Sequence, residues 1–345
     1  MKKVAIIGSM SNGKDSLNGQ TVKTKVLIEE LCREYGTDQL YLISTSGCFF
    51  KILVFVHIIF ALFCCSNIII LPARNGLKLI VPFLSFFNRI FNRSLHYDVI
   101  GGWLPEFIEC RPRLKENLKS FCVLYVETNK MKRDLDKQGF ENVVVLPNCK
   151  DLAIVDDCQL NNENHDKVVF ATFSRVMKSK GIEDAVVAIH RANIKRGSNV
   201  FHLDIYGFIE KGEAEWFENL QKEFRFEMTY KGEIPFKQST NVLKKYYGLL
   251  FPTYYHGEGF AGSLIDAFAA GLPVIASDWK YNAEIVSDGK EGLIVPVQDI
   301  DKLTDAILWS QEHTIEWQQF RKNVIKKAHN YLPSKALFVL KNKLK

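Results

Sequence analysis

The chain has 345 residues, with 45 Lys and Arg against 39 Asp and Glu for a formal charge of +6, and 47% of its residues are hydrophobic. That length accommodates two domains of ordinary size, and that balance excludes a disordered, fibrous or collagen-like chain. The eight cysteines, at positions 32, 48, 64, 65, 110, 122, 149 and 158, form no C-x-x-C pair and no Cys/His cluster, so they exclude a zinc module and read as reduced thiols of a cytoplasmic protein.

The charge is unevenly placed. Residues 1–150 hold 20 Lys and Arg against 13 Asp and Glu, whereas the remainder holds 25 against 26. No basic run is interleaved with aromatics, so nucleic acid is not an expected partner. A modest, one-sided excess suits an anionic membrane surface or a diphosphate-bearing lipid better, peripheral on the inner face of the cytoplasmic membrane.

In chain order, Met1-Lys2-Lys3 and a short apolar run predict a first strand over Lys3–Gly8 rather than a signal peptide. It runs into "GSMSNGKDS", Gly8 to Ser16, whose Gly8, Gly13 and Lys14 have the spacing of a Walker A phosphate loop. Asp15 stands where that loop needs the Ser or Thr that holds magnesium, and the amphipathic pattern starts only after Asn18-Gly19. The reading left is a long loop whose Gly19-Gln20-Thr21 end opens a helix over Gly19–Tyr35 with free backbone N–H groups. A strand at Leu40–Ser44 follows. Phe49–Cys65 is apolar but interrupted by Lys51 and His57, and is shorter than the roughly 20 clean residues of a membrane span. It reads as a buried or membrane-facing helix. Leu77–Arg93, with Arg89 and Arg93 on one side, reads as a helix of the core or of the membrane interface. Strands are expected at Asn67–Pro72, Tyr97–Gly101, Phe121–Val126 and Asn142–Pro147, with a helix ending at Gly139 between the last two.

The alternation breaks at Asn148–Asp166, a polar Asn/Asp-rich linker, then restarts. Further strands are expected at Lys167–Phe173, His202–Tyr206, Glu227–Lys231, Gly248–Phe251, Pro273–Ser277 and Leu293–Val295, with helices between. The expected fold class is therefore α/β, with two Rossmann-like doubly wound parallel-sheet domains, residues 1–150 and 151–315. The helices of residues 316–345 are expected to return towards the first domain. Ligands of such sheets bind at the carboxyl ends of the strands, which for two facing sheets means the cleft between them.

Two acidic features attract attention. Asp134 and Asp136 form a D-x-D pattern that metal-dependent transferases use, but among Lys132, Arg133 and Lys137 they read as a solvated helix face. The stronger signal is "FPTYYHGEGFAGSLIDAFAAGLPVIASD", Phe251 to Asp278: strand, glycine-rich turn, short helix over Ala261–Ala270, then strand. Glu258 in the turn and Asp266 on the helix are expected to accept hydrogen bonds from vicinal hydroxyls. The N–H groups of Phe260, Ala261 and Gly262 open the helix and are suited to an anion.

This stretch resembles the E-x7-E signature of the retaining glycosyltransferases of family 4, which have the GT-B fold. Phe173-Ser174-Arg175 with Lys180-Gly181 is similar to the family's companion motif. Asn18–Lys25, "NGQTVKTK", looks like the first loop and helix of its bacterial polysaccharide enzymes. The resemblance implies a first domain that binds acceptor and a second that binds a UDP- or GDP-linked sugar. Arg175 and Lys180 would clamp the donor diphosphate and, with Glu258 on the sugar hydroxyls, form the catalytic set. Asp266 would hold the ribose, Gly19 would approach the diphosphate, and Gly232 and Ile234, in "YKGEIP", would line the nucleobase pocket. Gln20, Gly101, Gly102 and Trp103 are the acceptor-side candidates, the acceptor being a glycan or a lipid-linked one. Neither metal nor other cofactor is expected. Two departures stand out. Asp266 replaces the usual Glu, and Gly101-Gly102 lies where many members carry a His; His256, two residues before Glu258, reads as a loop bystander. Rival readings are a P-loop phosphotransferase using Lys14 and a catalytically silent sugar-nucleotide-binding subunit.

Overall fold

The computed structural model describes residues 2–10, 19–46, 51–156 and 167–344. Gly13, Lys14 and Asp15 of the opening loop, and most of the polar linker, lie outside these residues. The chain divides into two compact units, Met1–Asp151 with Tyr331–Lys345, and Leu152–Asn330.

The first unit alternates β1 (Lys2–Gly8), α1 (Gly19–Tyr35), β2 (Leu40–Ser44), α2 (Lys51–Cys64), β3 (Cys65–Ile70), α3 (Arg74–Phe91), β4 (Ser94–Asp98), α4 (Leu104–Glu109), α5 (Pro112–Lys119), β5 (Val123–Val126), α6 (Asn129–Asp136) and β6 (Val143–Val145). The six strands form one sheet in the order β2-β1-β3-β4-β5-β6. Each pairing is parallel. A parallel sheet is covered on both faces, so its strands are continuous apolar runs. Val4 to Ile7 and Ile68 to Ile70 have no exposed surface. Val26, Leu27 and Leu31 of α1 pack in the same core as β1.

The fourth strand lies three residues earlier than the sequence suggests, at Ser94–Asp98 rather than Tyr97–Gly101. The polar letters of "SLHYD" conceal a strand in which every residue is buried. The chain then leaves the sheet through Gly101, whose φ of 78° is available to glycine and strained for other residues. The helix expected over Leu77–Arg93 starts at Arg74 and carries Pro82 inside it. Among the described residues no helix is long and apolar enough to cross a membrane.

The second unit comprises β7 (Val168–Phe173), α7 (Ile182–Arg196), β8 (Phe201–Tyr206), α8 (Ala214–Glu223), β9 (Met228–Gly232), α9 (Ser239–Leu243), β10 (Gly248–Phe251), α10 (Gly262–Ala269), β11 (Val274–Ser277), α11 (Asn282–Ile285), β12 (Gly292–Val295), α12 (Ile300–Glu312) and α13 (Thr314–Ala328). Its sheet, again parallel, has the order β12-β11-β10-β7-β8-β9. The chain thus winds outwards from β7 to β9, returns to the other side of β7, and winds outwards again.

The tail divides later than residue 315. Trp317 and Phe320 of α13 belong to the core of the second unit. Only α14 (Pro333–Ala336), α15 (Phe338–Lys341) and their flanks join the first, adding Ala336, Leu337, Leu340 and Leu344 to its core. The Trp317 ring stacks on Tyr247 at 5.6 Å between centroids, and its indole N–H donates to the Tyr247 carbonyl at 3.0 Å. Gly248 makes the room, because a Cβ there would lie 2.8 Å from the Trp317 ring. Trp317→Ala is therefore expected to cost about 3–5 kcal/mol, read as a lowered urea midpoint of the second unit.

Candidate active site

In a doubly wound sheet, the two strands on either side of the winding reversal send their following loops to opposite faces, which opens a crevice at their carboxyl ends. In the second unit these strands are β7 and β10, and the loops after them carry Lys180 and Glu258. The connection from β7 ends in a single helical turn, Lys178–Lys180, and Gly181, at φ 69°, turns the chain into α7. A Cβ on Gly181 would stand 2.1 Å from the carbonyl oxygen of Pro252, just after β10. Glycine is thus what lets the two loops touch.

That contact places the Lys180 ammonium 2.5 Å from Glu258 Oε2, with both side chains 8% exposed. The same carboxylate oxygen accepts from the Thr253 hydroxyl at 2.9 Å. Thr253 is in turn fixed by Ser277, whose hydroxyl donates to the Thr253 carbonyl at 2.5 Å. The Tyr255 ring lies against both cations, with Lys180 Nζ and Arg175 Cζ each 5.0 Å from its centroid. Gly257 packs on that ring, leaving no space for a Cβ. The indole of Trp279 donates to the Tyr255 carbonyl at 2.8 Å. Arg175 is more open, 35% exposed, and pairs with Glu210 at 2.7 Å. The structure thus brings Arg175, Lys180 and Glu258 around Tyr255. Thr253 and Tyr255 were missed by sequence reasoning; the signal was a hydroxyl and an aromatic inside the same "PTYYHGEGF".

The remaining residues of this unit are placed as follows. α10 starts with Ala261 in an extended conformation at its N-cap and no side-chain cap. Phe260 and Ala261 are buried, Gly262 half-buried, and His256 is exposed. Gly232, at φ 76°, ends β9, and its carbonyl accepts the Gly207 N–H at 2.9 Å, with half-buried Ile234 just beyond. Asp266 departs from the expected placement. It has no exposed surface and accepts from the Ser239 hydroxyl at 2.8 Å, which leaves no open carboxylate edge for a ribose. Asp134 and Asp136 pair along α6 with Lys130 and Lys132, a solvated helix face.

In the first unit the reversal falls between β1 and β3. Gln20 spans it, donating from Nε2 to the Leu71 carbonyl at 2.9 Å. A Cβ at exposed Gly19 would meet nothing within 4 Å, so packing does not demand glycine there. At Gly8 it would meet Thr24 at 2.9 Å, so this glycine serves the contact of α1 with β1. Trp103 is buried and donates to the Ile100 carbonyl at 2.7 Å, beside buried Gly102.

The first unit also holds a buried charged cluster whose two carboxylates no motif announced. Lys23 of α1 reaches Asp98 at the end of β4 at 2.8 Å and Glu127 after β5 at 3.2 Å. It also donates to the Val99 carbonyl at 2.9 Å. All three side chains are buried. One cation against two carboxylates leaves an excess negative charge out of water. Burial pushes the Asp98 carboxyl up, and Lys23, helped by neither burial nor the nearby Glu127 charge, recovers only part of that shift. Lys23 is itself held above its ordinary range, because Asp98 and Glu127 together outweigh the burial that disfavours its charge.

A model of the family described as glycosyl transferases group 1 matches residues 157–330. The chain belongs to this family. Among curated relatives, the UDP-N-acetylglucosamine–peptide N-acetylglucosaminyltransferase GtfA subunit of Streptococcus gordonii is 32% identical over 175 residues, 48% of this chain and 32% of that one. A 41.2 kDa protein in the cps region of Klebsiella pneumoniae is 24% identical over 181 residues, 52% of this chain and 46% of that one. The chain therefore spans less than half the length of these relatives. Among solved structures, Anabaena HepE in complex with UDP-glucose superimposes with a TM-score of 0.74 at 14% identity, covering 100% of this chain and 99% of that one. The tandem sheets are those of the GT-B fold, as the sequence resemblance implied.

For this group 1 chain, the buried charges give a stability test. Lys23→Met removes the one cation that buried Asp98 and Glu127 share and is expected to cost about 3–5 kcal/mol. The Asp98 carboxyl, already raised by burial, then loses the cation that held it down. A carboxyl raised in the folded state favours folding at low pH, and that advantage is lost as pH rises through the raised value. Urea unfolding should therefore show a larger loss at pH 8 than at pH 5, and Asp98→Asn in the same chain should recover part of it.

Proposed function

We propose that the protein is a retaining glycosyltransferase, moving a sugar from a nucleotide-diphosphate donor to an acceptor hydroxyl in bacterial surface-polysaccharide synthesis. The observation that carries this reading is the meeting of Lys180, Arg175 and Glu258 at a sheet's winding reversal, within the residues matched by the family. Two cations suit the diphosphate, and a carboxylate that only accepts hydrogen bonds suits sugar hydroxyls. A diphosphate reaching Lys180 shares the ammonium with Glu258, and the uncapped start of α10 adds N–H groups to the same anion. UDP is favoured over GDP because the Streptococcus relative is named for a UDP-sugar and HepE was solved with one. The polysaccharide setting is supported by the Klebsiella relative of the cps region. We assign the acceptor to the glycans or lipid-linked glycans on the charge of the first half of the chain.

In the proposed reaction the acceptor hydroxyl attacks the anomeric carbon on the face the leaving group departs from. The carbon–oxygen bond to the phosphate breaks, the bond to the acceptor oxygen forms, and the acceptor proton passes to the departing phosphate oxygen. Lys180 and Arg175 neutralise the charge that develops on the nucleoside diphosphate, a task metal ions perform in other transferases. No protein nucleophile takes part. We assign Asp266 to holding α9 against α10 through Ser239, rather than to the ribose directly.

A thermal-shift screen against UDP-, GDP- and ADP-sugars and Mg-ATP, with hydrolysis of each hit measured, tests the reading. Stabilisation by a UDP-sugar that is also turned over is expected. Glu258→Ala should abolish transfer while keeping nucleotide stabilisation, and Lys180→Ala should lower kcat by about 10²–10³. Stabilisation by Mg-ATP alone, lost in Lys14→Ala, would replace the reading with a phosphotransferase. Binding of a sugar nucleotide without turnover of any kind would replace it with a silent subunit.

A further inference from the structure

Apart from exposed His57, which is hydrogen-bonded to the Tyr41 hydroxyl at 2.6 Å, the described side chains of α2 are apolar on the side away from its sheet as well as towards it. Ile58, Ala61 and Leu62 are buried, yet Leu53, Val56, Phe60 and Phe63, at spacings of three and four residues, are 46%, 57%, 55% and 61% exposed. α3 adds Leu79, Phe86 and Ile90, 61%, 61% and 75% exposed. Ring contacts of Phe55 with Phe83 at 4.7 Å and of Phe63 with Phe91 at 4.5 Å join the two helices into one surface. A helix that is apolar on nearly all sides is ordinarily enclosed by protein or by lipid.

The charges around this surface are predominantly positive, although exposed Glu106 and Glu109 lie on α4, which packs beside α3. No Asp or Glu occurs between Asp38 and Asp98. α2, α3 and the neighbouring α5 carry seven Lys and Arg against one carboxylate, Glu116, which Lys119 already pairs at 3.1 Å. Arg89 is exposed beside Ile90, and Arg93 closes the end of α2 by donating to the Leu62 carbonyl at 2.8 Å. A second copy of this chain would bring like charges face to face. At 14 residues, about 21 Å, α2 is too short to span the hydrocarbon layer. Apolar side chains at acyl depth with cations at the headgroups are what an interfacial helix needs.

We propose that the outer faces of α2 and α3 form a docking surface for an anionic lipid bilayer, on which both helices lie in the interface plane. The surface stands on exposure and charge alone; only its use, to meet a lipid-linked acceptor, rests on the proposed transfer reaction.

Flotation of the full chain with vesicles tests it. Vesicles of phosphatidylcholine with one-third phosphatidylglycerol should carry the protein, with binding weaker by about tenfold on phosphatidylcholine alone and at high salt. Phe60→Glu combined with Phe86→Glu should lower binding by about tenfold or more, with circular dichroism and donor hydrolysis unchanged. Should that variant fail to fold, the charge reversals Arg89→Glu and Arg113→Glu, on exposed side chains, should still remove binding to the anionic vesicles. Wild-type protein that stays unbound with both lipids overturns the proposal. So do variants that float like the wild type, and a dimer or a captured acidic protein that these changes disrupt with no vesicle binding. Loss of donor hydrolysis in a protein that still floats would instead count against the transfer reaction alone.

Discussion

A parallel sheet that reverses its winding leaves a crevice between two adjacent strands, since the connections on either side depart to opposite faces. Everything of chemical interest in the second unit depends on how that crevice is closed at β7 and β10. It is closed by backbone contact, Gly181 against Pro252, and the contact is so near that only a residue without Cβ fits. Once the two loops touch, Lys180 and Glu258 have little alternative to meeting. Thr253, Tyr255, Ser277 and Trp279 then fix the geometry through short contacts within one loop cluster.

The two units treat buried charge differently. In the second, Lys180 and Glu258 balance one to one, and the pair retains a little exposure at the carboxyl edge. A balanced, partly accessible pair can exchange partners with an arriving ligand at modest cost, because neither charge is ever left alone in a low-dielectric site. In the first, Lys23 faces two carboxylates with no exposure for Asp98, so the cluster is out of balance by one proton. It ties α1, the end of β4 and the end of β5 together at the carboxyl edge of their sheet. Its members hold backbone, as the Lys23 bond to the Val99 carbonyl shows.

The order and type of the elements were legible because a parallel sheet is a low-information pattern with a strong signature. Runs such as Val4–Ile7 and Val274–Ala276 are apolar without alternation, and Gly and Pro punctuate them. Where the pattern failed, side-chain chemistry was responsible. β4 was displaced because His96 and Asp98 look like loop residues until their buried partners are known. The helices α4 and α5 went unnoticed because each is short. The tail was divided too early because nothing in the sequence says which core Trp317 fills.

The sequence by itself determined the fold class, the family resemblance and the positions of Arg175, Lys180 and Glu258, since each rests on local spacing beside a strand end. Only the tertiary structure decided which of these meet and which turn inwards. Asp266 sits on the helix as expected, yet faces Ser239 in the interior, because helical spacing fixes a direction and not a neighbour. Lys23 lies in the first-helix segment, but Asp98 and Glu127 belong to no motif and are far from it in the chain, so only the tertiary fold brings the three together. The outward face of α2 is the converse case. Its residues read as core material, and the fold alone decided that Phe60 and Phe63 remain more than half exposed.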